Sequence, residues 1–189
     1  MQRLFTAIAL DEATRQAIEL ALASTRREAA KLPTFRFLAA ENWHFTLQFL
    51  GAVEDETVPA VDAACAAAAS RHAAFDLELS GLGAFNSVRK ARVLWIGVSR
   101  GGDEMRALYE TLLVGTARLG LAPEERDYSP HLTFARLKRP ANVEGLLAQV
   151  QLPALRMQVT ELTLFRSHLS QRGSRYEVIG RYALGGTAG

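Results

Sequence analysis

The apolar positions of this chain change period several times, from two to about three and a half and back. Residues 3–10 are apolar on both faces, with Leu4, Thr6, Ile8 and Leu10 against Phe5, Ala7 and Ala9. That pattern predicts a strand with neighbours on either side. Asp11 offers a helix cap, and Ala13, Ala17, Leu20 and Ala21 carry helical spacing to about Lys31, with Pro33 as the stop. A short strand over residues 36–38 turns at Ala40-Glu41-Asn42 into a longer one over residues 43–50, closed by Gly51. Asp55 is expected to cap a second helix reaching about Arg71, with Val58, Val61, Cys65 and Ala68 on one face. Residues 75–85 alternate as a half-exposed strand. After a turn at Asn86–Arg89, the β-prone residues 91–98 predict its hairpin partner.

The second half repeats the style. Gly101-Gly102 interrupts the chain, and Asp103 is expected to cap a third helix with Met105, Leu108, Leu112 and Leu119 inward and Gly120 as its stop. A polar loop over residues 123–127 leads to a strand over residues 129–137, ended by Pro140. A short helix over residues 142–150 and two strands, 155–166 and 175–184, complete the chain, the strands flanking the loop Ser170-Gln171-Arg172-Gly173. The order β-α-β-β-α-β-β-α-β-α-β-β, with its hairpin-like pairs, predicts an α+β domain of antiparallel or mixed sheets over residues 1–184 and a disordered tail over 185–189.

Composition changes this picture little. Apolar residues make up 49% and charged residues 22%, ordinary for a globular domain. No run approaches the ~20 apolar residues of a membrane span. The opening apolar run meets Asp11-Glu12 at once, which suits a first strand and not a signal peptide. The expectation is a soluble, cytoplasmic monomer. The lone Cys65 excludes an internal disulfide. A net charge of +2 does not by itself mark a nucleic-acid binder. Basic clusters at Arg89-Lys90-Ala91-Arg92, Arg136-Leu137-Lys138-Arg139 and Arg172-Gly173-Ser174-Arg175 are compatible with an anionic substrate.

The candidate chemistry lies in a tetrad that occurs twice. His44-Phe45-Thr46-Leu47 returns as His131-Leu132-Thr133-Phe134, and the two copies hold half of the chain's four His. In a strand, His44 and Thr46 share one face and Phe45, Leu47 and Phe49 the other; the second copy follows suit with Leu132 and Phe134. Each strand thus offers an imidazole and a hydroxyl on one side and an apolar anchor behind. One such strand commonly holds only a half-buried His beside a β-favouring Thr; two copies facing one cleft would supply two proton handlers. An imidazole titrates near pH ~6.5, so one can donate while the other accepts, each transfer contributing about 10²–10⁴ in rate. The Thr hydroxyls can donate to an anionic centre. In-line attack at phosphorus suits this equipment, because nucleophile and leaving group sit on opposite sides. A metal site would want a third ligand, and only Glu41 is near the first tetrad. There is no G-x-S-x-G elbow, no Walker-type loop and no Gly-x-Gly-x-x-Gly fingerprint, and Cys65 sits mid-helix.

With both tetrads in view, the chain resembles the 2H phosphoesterases. Within them it resembles the bacterial and archaeal RNA 2′,3′-cyclic phosphodiesterases, historically called 2′-5′ RNA ligases. The likeness is carried by Arg3-Leu4-Phe5-Thr6-Ala7-Ile8, by Glu41-Asn42-Trp43-His44 through Gly51, by Gly83-Ala84-Phe85 with Arg92-Val93-Leu94-Trp95-Ile96-Gly97-Val98, by His131-Leu132-Thr133-Phe134-Ala135-Arg136, and by Leu164 to Ser167 with Gly173 and Tyr176. It implies a two-lobed, pseudo-symmetric fold with a central cleft, one tetrad on each wall, and hydrolysis of RNA 2′,3′-cyclic phosphate ends to 2′-phosphomonoesters without a metal or other cofactor. In that resemblance His44 donates a proton to the departing 3′ oxygen, His131 accepts one from water, and Thr46 and Thr133 hold phosphate oxygens. Arg136 is implied as a phosphate or RNA contact, although strict alternation from His131 turns it away and a bulge would have to redirect it. His72 and His168 match neither tetrad. Joining of RNA ends through a 2′-5′ link, and a non-catalytic RNA-binding module, stand as alternatives.

Overall fold

A strand apolar on both faces has to lie inside a sheet, and β1 (Gln2–Ala9) does: Leu4, Phe5, Thr6, Ala7 and Ile8 are all buried. Its neighbours are β3 (His44–Val53) and β8 (Glu161–Ser170), both antiparallel. The computed structural model of the chain describes residues 1–30, 34–121, 127–170 and 173–185. Pro33, residues 123–126 of the polar loop, Gln171-Arg172 of the last loop and residues 186–189 of the tail lie outside the described residues.

The remaining elements are α1 (Glu12–Ala29), β2 (Phe35–Phe37), α2 (Val58–Ala69), β4 (Phe75–Phe85), β5 (Ala91–Arg100), α3 (Gly102–Ala117), β6 (Leu132–Ala141), α4 (Glu144–Leu147), β7 (Leu155–Val159) and β9 (Gly173–Ala183). The strands form one α+β sheet in the order β7-β4-β5-β6-β3-β1-β8-β9, with β2 beside β6. Every pairing among the described residues is antiparallel. The two tetrad strands, β3 and β6, are neighbours at the middle of this order. They share a single pair, Phe45 with Leu132. Beyond it β6 takes β2 as its neighbour at Ala135–Leu137.

One face of the sheet carries the core. Phe45, Leu94, Ile96, Leu132, Phe134 and Leu164 belong to one hydrophobic cluster with Met105, Leu108 and Leu112 of α3 and Val61 and Cys65 of α2. Each such large side chain contributes about 1.5–3 kcal/mol by leaving water. No helix of the described residues is long and apolar enough to cross a membrane.

Several local expectations are corrected. Asp11 caps α1 as expected, accepting from the Thr14 amide at 2.6 Å. The inward stripe of α1, however, is Thr14, Ile18, Leu22, Thr25 and Ala29, while Leu20 is 79% exposed. The two large apolar residues Ile18 and Leu22 set the helix's rotation; the smaller alanines did not compete. Asp55 caps no helix: its carboxylate takes the Met1 amine at 3.0 Å and Gln2 Nε2 at 2.8 Å. Asp103 is likewise not a cap, because Gly101 holds that position with φ 86°. A Cβ there would sit 2.5 Å from the Asp76 carbonyl oxygen, so the position needs glycine twice over. Gly51 does not close its strand. It sits within β3 at φ 70°, next to a register shift. Pro140 is contained in β6, and the predicted strand over 155–166 is two strands, β7 and β8, parted at Thr160. They serve opposite sides of the sheet, β7 against β4 and β8 against β1.

Candidate active site

Both tetrads end on a bulge. On β3, Thr46 faces Ala7 and Gln48 faces Thr6, so Leu47 is the unpaired extra residue. On β6, Thr133 faces Trp95 and Ala135 faces Leu94, so Phe134 is the extra residue. The fourth tetrad position is therefore the inserted one in each copy. The insertion puts two successive residues into the core, Leu47 with Gln48 and Phe134 with Ala135, all buried. It also reverses the alternation after the tetrad. Phe49 and Arg136, each five residues past its His, return to the His side. Arg136 is exposed between the buried Ala135 and Leu137, and shares its rung with Arg36 and Val93.

The β3 bulge is held by a polar tie that the pattern of apolar positions could not disclose. Buried Gln48 donates its backbone N–H to Thr6 Oγ1 at 3.2 Å and its Nε2 to Thr116 Oγ1 of α3 at 2.9 Å. Thr116 in turn donates to the Leu112 carbonyl at 2.9 Å. Gln48→Ala should cost about 2–4 kcal/mol, from lost bonds and a cavity. Urea unfolding measures it, and a loss below about 1 kcal/mol would mean the tie holds nothing.

The shared Phe45–Leu132 pair sets the two tetrads against each other. Through an antiparallel register, Thr133 falls beside His44 and His131 beside Thr46. All four lie on the face opposite the buried Phe45 and Leu132, and none of the four is fully buried. The two imidazoles are held by the same device. His44 Nδ1 donates to the Asn42 carbonyl at 2.8 Å, and His131 Nδ1 donates to the Ser129 carbonyl at 2.7 Å. A carbonyl can only accept, so each ring, when neutral, carries its proton on Nδ1 and leaves Nε2 as the acceptor. His44 Nε2 then accepts from the Thr46 hydroxyl at 3.0 Å.

Aromatic rings support both imidazoles. His44 lies 4.9 Å from Phe5 and meets Tyr176 edge-on at 5.2 Å. His131 meets Phe85 edge-on at 4.7 Å. Burial pulls His44 down to about 4. The Asn42 carbonyl opposes this, and the positive charges of His131 and Arg136 add to the lowering.

The other candidates are elsewhere. His72 bonds Thr111 Oγ1 at 2.8 Å, and His168 bonds Glu177 at 2.6 Å. Cys65 is buried, and burial pushes its thiol up to about 12. Among the described residues, no three of His, Cys, Asp and Glu converge as metal ligands would. The residues missed by periodicity are Phe5, Phe49, Phe85 and Tyr176. Their ring types were visible, but strict alternation put Phe49 on the face away from His44, and the bulge at Leu47 brings it back to the His side.

Known proteins resemble the chain over most of its length. Residues 13–171 match the family model of the 2′-5′ RNA ligase superfamily. The chain is 31% identical to an RNA 2′,3′-cyclic phosphodiesterase of Methanothermobacter thermautotrophicus, over 92% of this chain and 94% of that one. It is 31% identical to one of Aeropyrum pernix, over 74% and 80%. Among solved structures, Escherichia coli LigT complexed with 3′-AMP superposes with a TM-score of 0.76 at 30% identity, covering 97% and 98%. TT0787 of Thermus thermophilus superposes with a TM-score of 0.81 at 26% identity, covering 98% and 100%.

Proposed function

Because this chain belongs to the 2′-5′ RNA ligase superfamily, we propose that it is an RNA 2′,3′-cyclic phosphodiesterase that opens the ring to a 2′-phosphomonoester, without a metal, between His44 and His131. The observation that carries this reading is the matched tethering of the two rings, each by Nδ1 to the carbonyl two residues back. In the reaction a water oxygen attacks phosphorus and the bond to O3′ breaks. His131 Nε2 takes the proton of the water, and His44 Nε2–H gives one to O3′. Thr46 and Thr133 donate to the non-bridging oxygens, and Arg136 offsets their charge. Residues 1–184 act as one unit whose two pseudo-symmetric halves meet at the Phe45–Leu132 pair and form the cleft.

The neutral resting state of His44 bears on its role as donor. The cyclic phosphate brings a negative charge against a ring that burial and the nearby Arg136 keep neutral in the free protein, so its arrival favours uptake of a proton at His44 Nε2. That proton displaces the hydrogen bond from Thr46, whose hydroxyl then turns to the phosphate. Incubation with an RNA ending in 2′,3′-cyclic phosphate, with the position of the product phosphate determined, tests the reading. The expected product is a 2′-phosphate, formed at the same rate in EDTA; a 3′-phosphate or an EDTA-sensitive rate would refute it.

A further inference from the structure

We propose that Arg106 and Tyr109 of α3 are positioning residues for His131, holding in place the carbonyl that tethers its ring; this rests on the catalytic role proposed above. The two imidazoles share one kind of tether but have different supports. His44 hangs from a turn that closes on itself. The Asn42 amide donates to the Ala39 carbonyl at 2.9 Å and the Trp43 amide to the Ala40 carbonyl at 3.1 Å. Asn42 Nδ2 adds a bond to the Ser174 carbonyl of β9 at 3.1 Å. His131 follows a plainer segment: residues 127–131 belong to no helix or strand, and β6 begins only at Leu132.

Tyr128 anchors that segment to α3 in two ways. Its carbonyl accepts from Arg106 Nη1 at 3.0 Å. Its ring stacks on that of Tyr109, with centroids 4.5 Å apart and planes 16° from parallel. The Tyr128 hydroxyl is buried and has no hydrogen-bond partner among the described residues. The ring is therefore held by packing and not by its polar end. Arg106 and Tyr109 stand three positions apart and so share one side of the helix. The buried Met105, Leu108 and Leu112 fix the rotation of α3, and with it the direction of that side.

The link from Tyr128 to the imidazole is short and stiff. The Tyr128 carbonyl and the Ser129 amide belong to one planar unit. Pro130 fixes its own φ and confines Ser129 to extended backbone. The Ser129 carbonyl, which accepts from His131 Nδ1 at 2.7 Å, is thus carried along with Tyr128. Once the anchor is cut, that carbonyl can turn away. The neutral ring then has no partner that keeps its proton on Nδ1, and in part of the molecules Nε2 is protonated and cannot accept from water.

The test uses Arg106→Ala and Tyr109→Leu, singly and together, with an RNA ending in 2′,3′-cyclic phosphate. The double variant should lose roughly 10–100-fold in kcat with KM little changed, because orientation is lost and binding is not. Arg106→Lys, which keeps a donor, and Tyr128→Phe, which keeps the stack, should retain most of the rate. Nitrogen-15 NMR of the free protein with its rings neutral supplies a readout that lost stability alone does not move. The His131 proton should sit on Nδ1 in the wild type and be shared with Nε2 in the double variant, while the His44 proton stays on Nδ1 in both. Added to His131→Ala, the two substitutions should cost nothing further. A double variant with the wild-type kcat, an unchanged His131 tautomer, or a loss that persists in full beside His131→Ala would overturn the proposal. A wild type that hydrolyses no cyclic phosphate would sink the proposed activity instead, and the NMR comparison would still decide whether α3 holds the tether.

Discussion

Alanine at His44 or at His131 is expected to lower kcat on an RNA 2′,3′-cyclic phosphate by about 10²–10⁴-fold, with KM changed only a few-fold. The reason lies in the tether. Each ring is fixed through Nδ1, so its removal takes away a proton handler already aimed at the reacting atoms, and water must replace it without that orientation. The double variant should be little worse than either single one, since both rings serve one step. A substrate with sulfur in place of the leaving O3′ distinguishes the roles. A thiolate leaves without a proton, so this substrate should restore His44→Ala and leave His131→Ala slow. Rescue of the other variant would exchange the two assignments. Full activity in both alanine variants, with unfolding midpoints near that of the wild type, would remove the catalytic reading altogether.

The second large effect is on pH. His44 is drawn down to about 4, chiefly by burial, from an ordinary value of 6.5. Between those values the unfolded chain binds a proton at this residue and the folded one does not. Acidification therefore favours unfolding: the stability is present above about 6.5 and is lost as pH falls toward 4, by about 2–3 kcal/mol for this one group. An anion on the site reverses the balance by favouring the charged ring. Sulfate, which keeps its charge over this range, should bind up to about tenfold more tightly for each unit of acidification, and should protect the protein against acid unfolding. Comparing His44→Asn with the wild type isolates the contribution. The variant should resist acid better in the absence of sulfate and show a shallower sulfate dependence. Identical slopes in the two proteins would mean that His44 is not the group that titrates.

Both predictions depend on tetrads that are readable in the one-dimensional pattern, and on details that are not. A strand's two faces follow from backbone geometry alone, so the shared side of His44 and Thr46, or of His131 and Thr133, was legible without a partner strand. So were the interior position of β1, set by its two apolar faces, the Asp11 cap, a local bond across three residues, and the β4–β5 hairpin, set by alternation around a turn. The orientation of Arg136 was not. It turns on Phe134 being an unpaired residue, and a bulge exists only relative to the neighbouring strand, here β5. The same holds for Gly51 and for the break at Thr160, where β7 and β8 part because β4 and β1 claim them separately.

What the amino-acid sequence determined by itself was the chemistry on offer: two imidazoles, two hydroxyls and their apolar anchors, because side-chain alternation needs only the chain's own covalent geometry. What the tertiary structure decided was their company. The single Phe45–Leu132 contact brings together tetrads nearly half a chain apart, and the inward turn of α1 follows the fit of Ile18 and Leu22. The lowered proton affinity of His44 comes from burial beside aromatic rings and from the charges of His131 and Arg136. Pairing, packing and desolvation are properties of groups that meet in space, and no local period encodes which groups those will be.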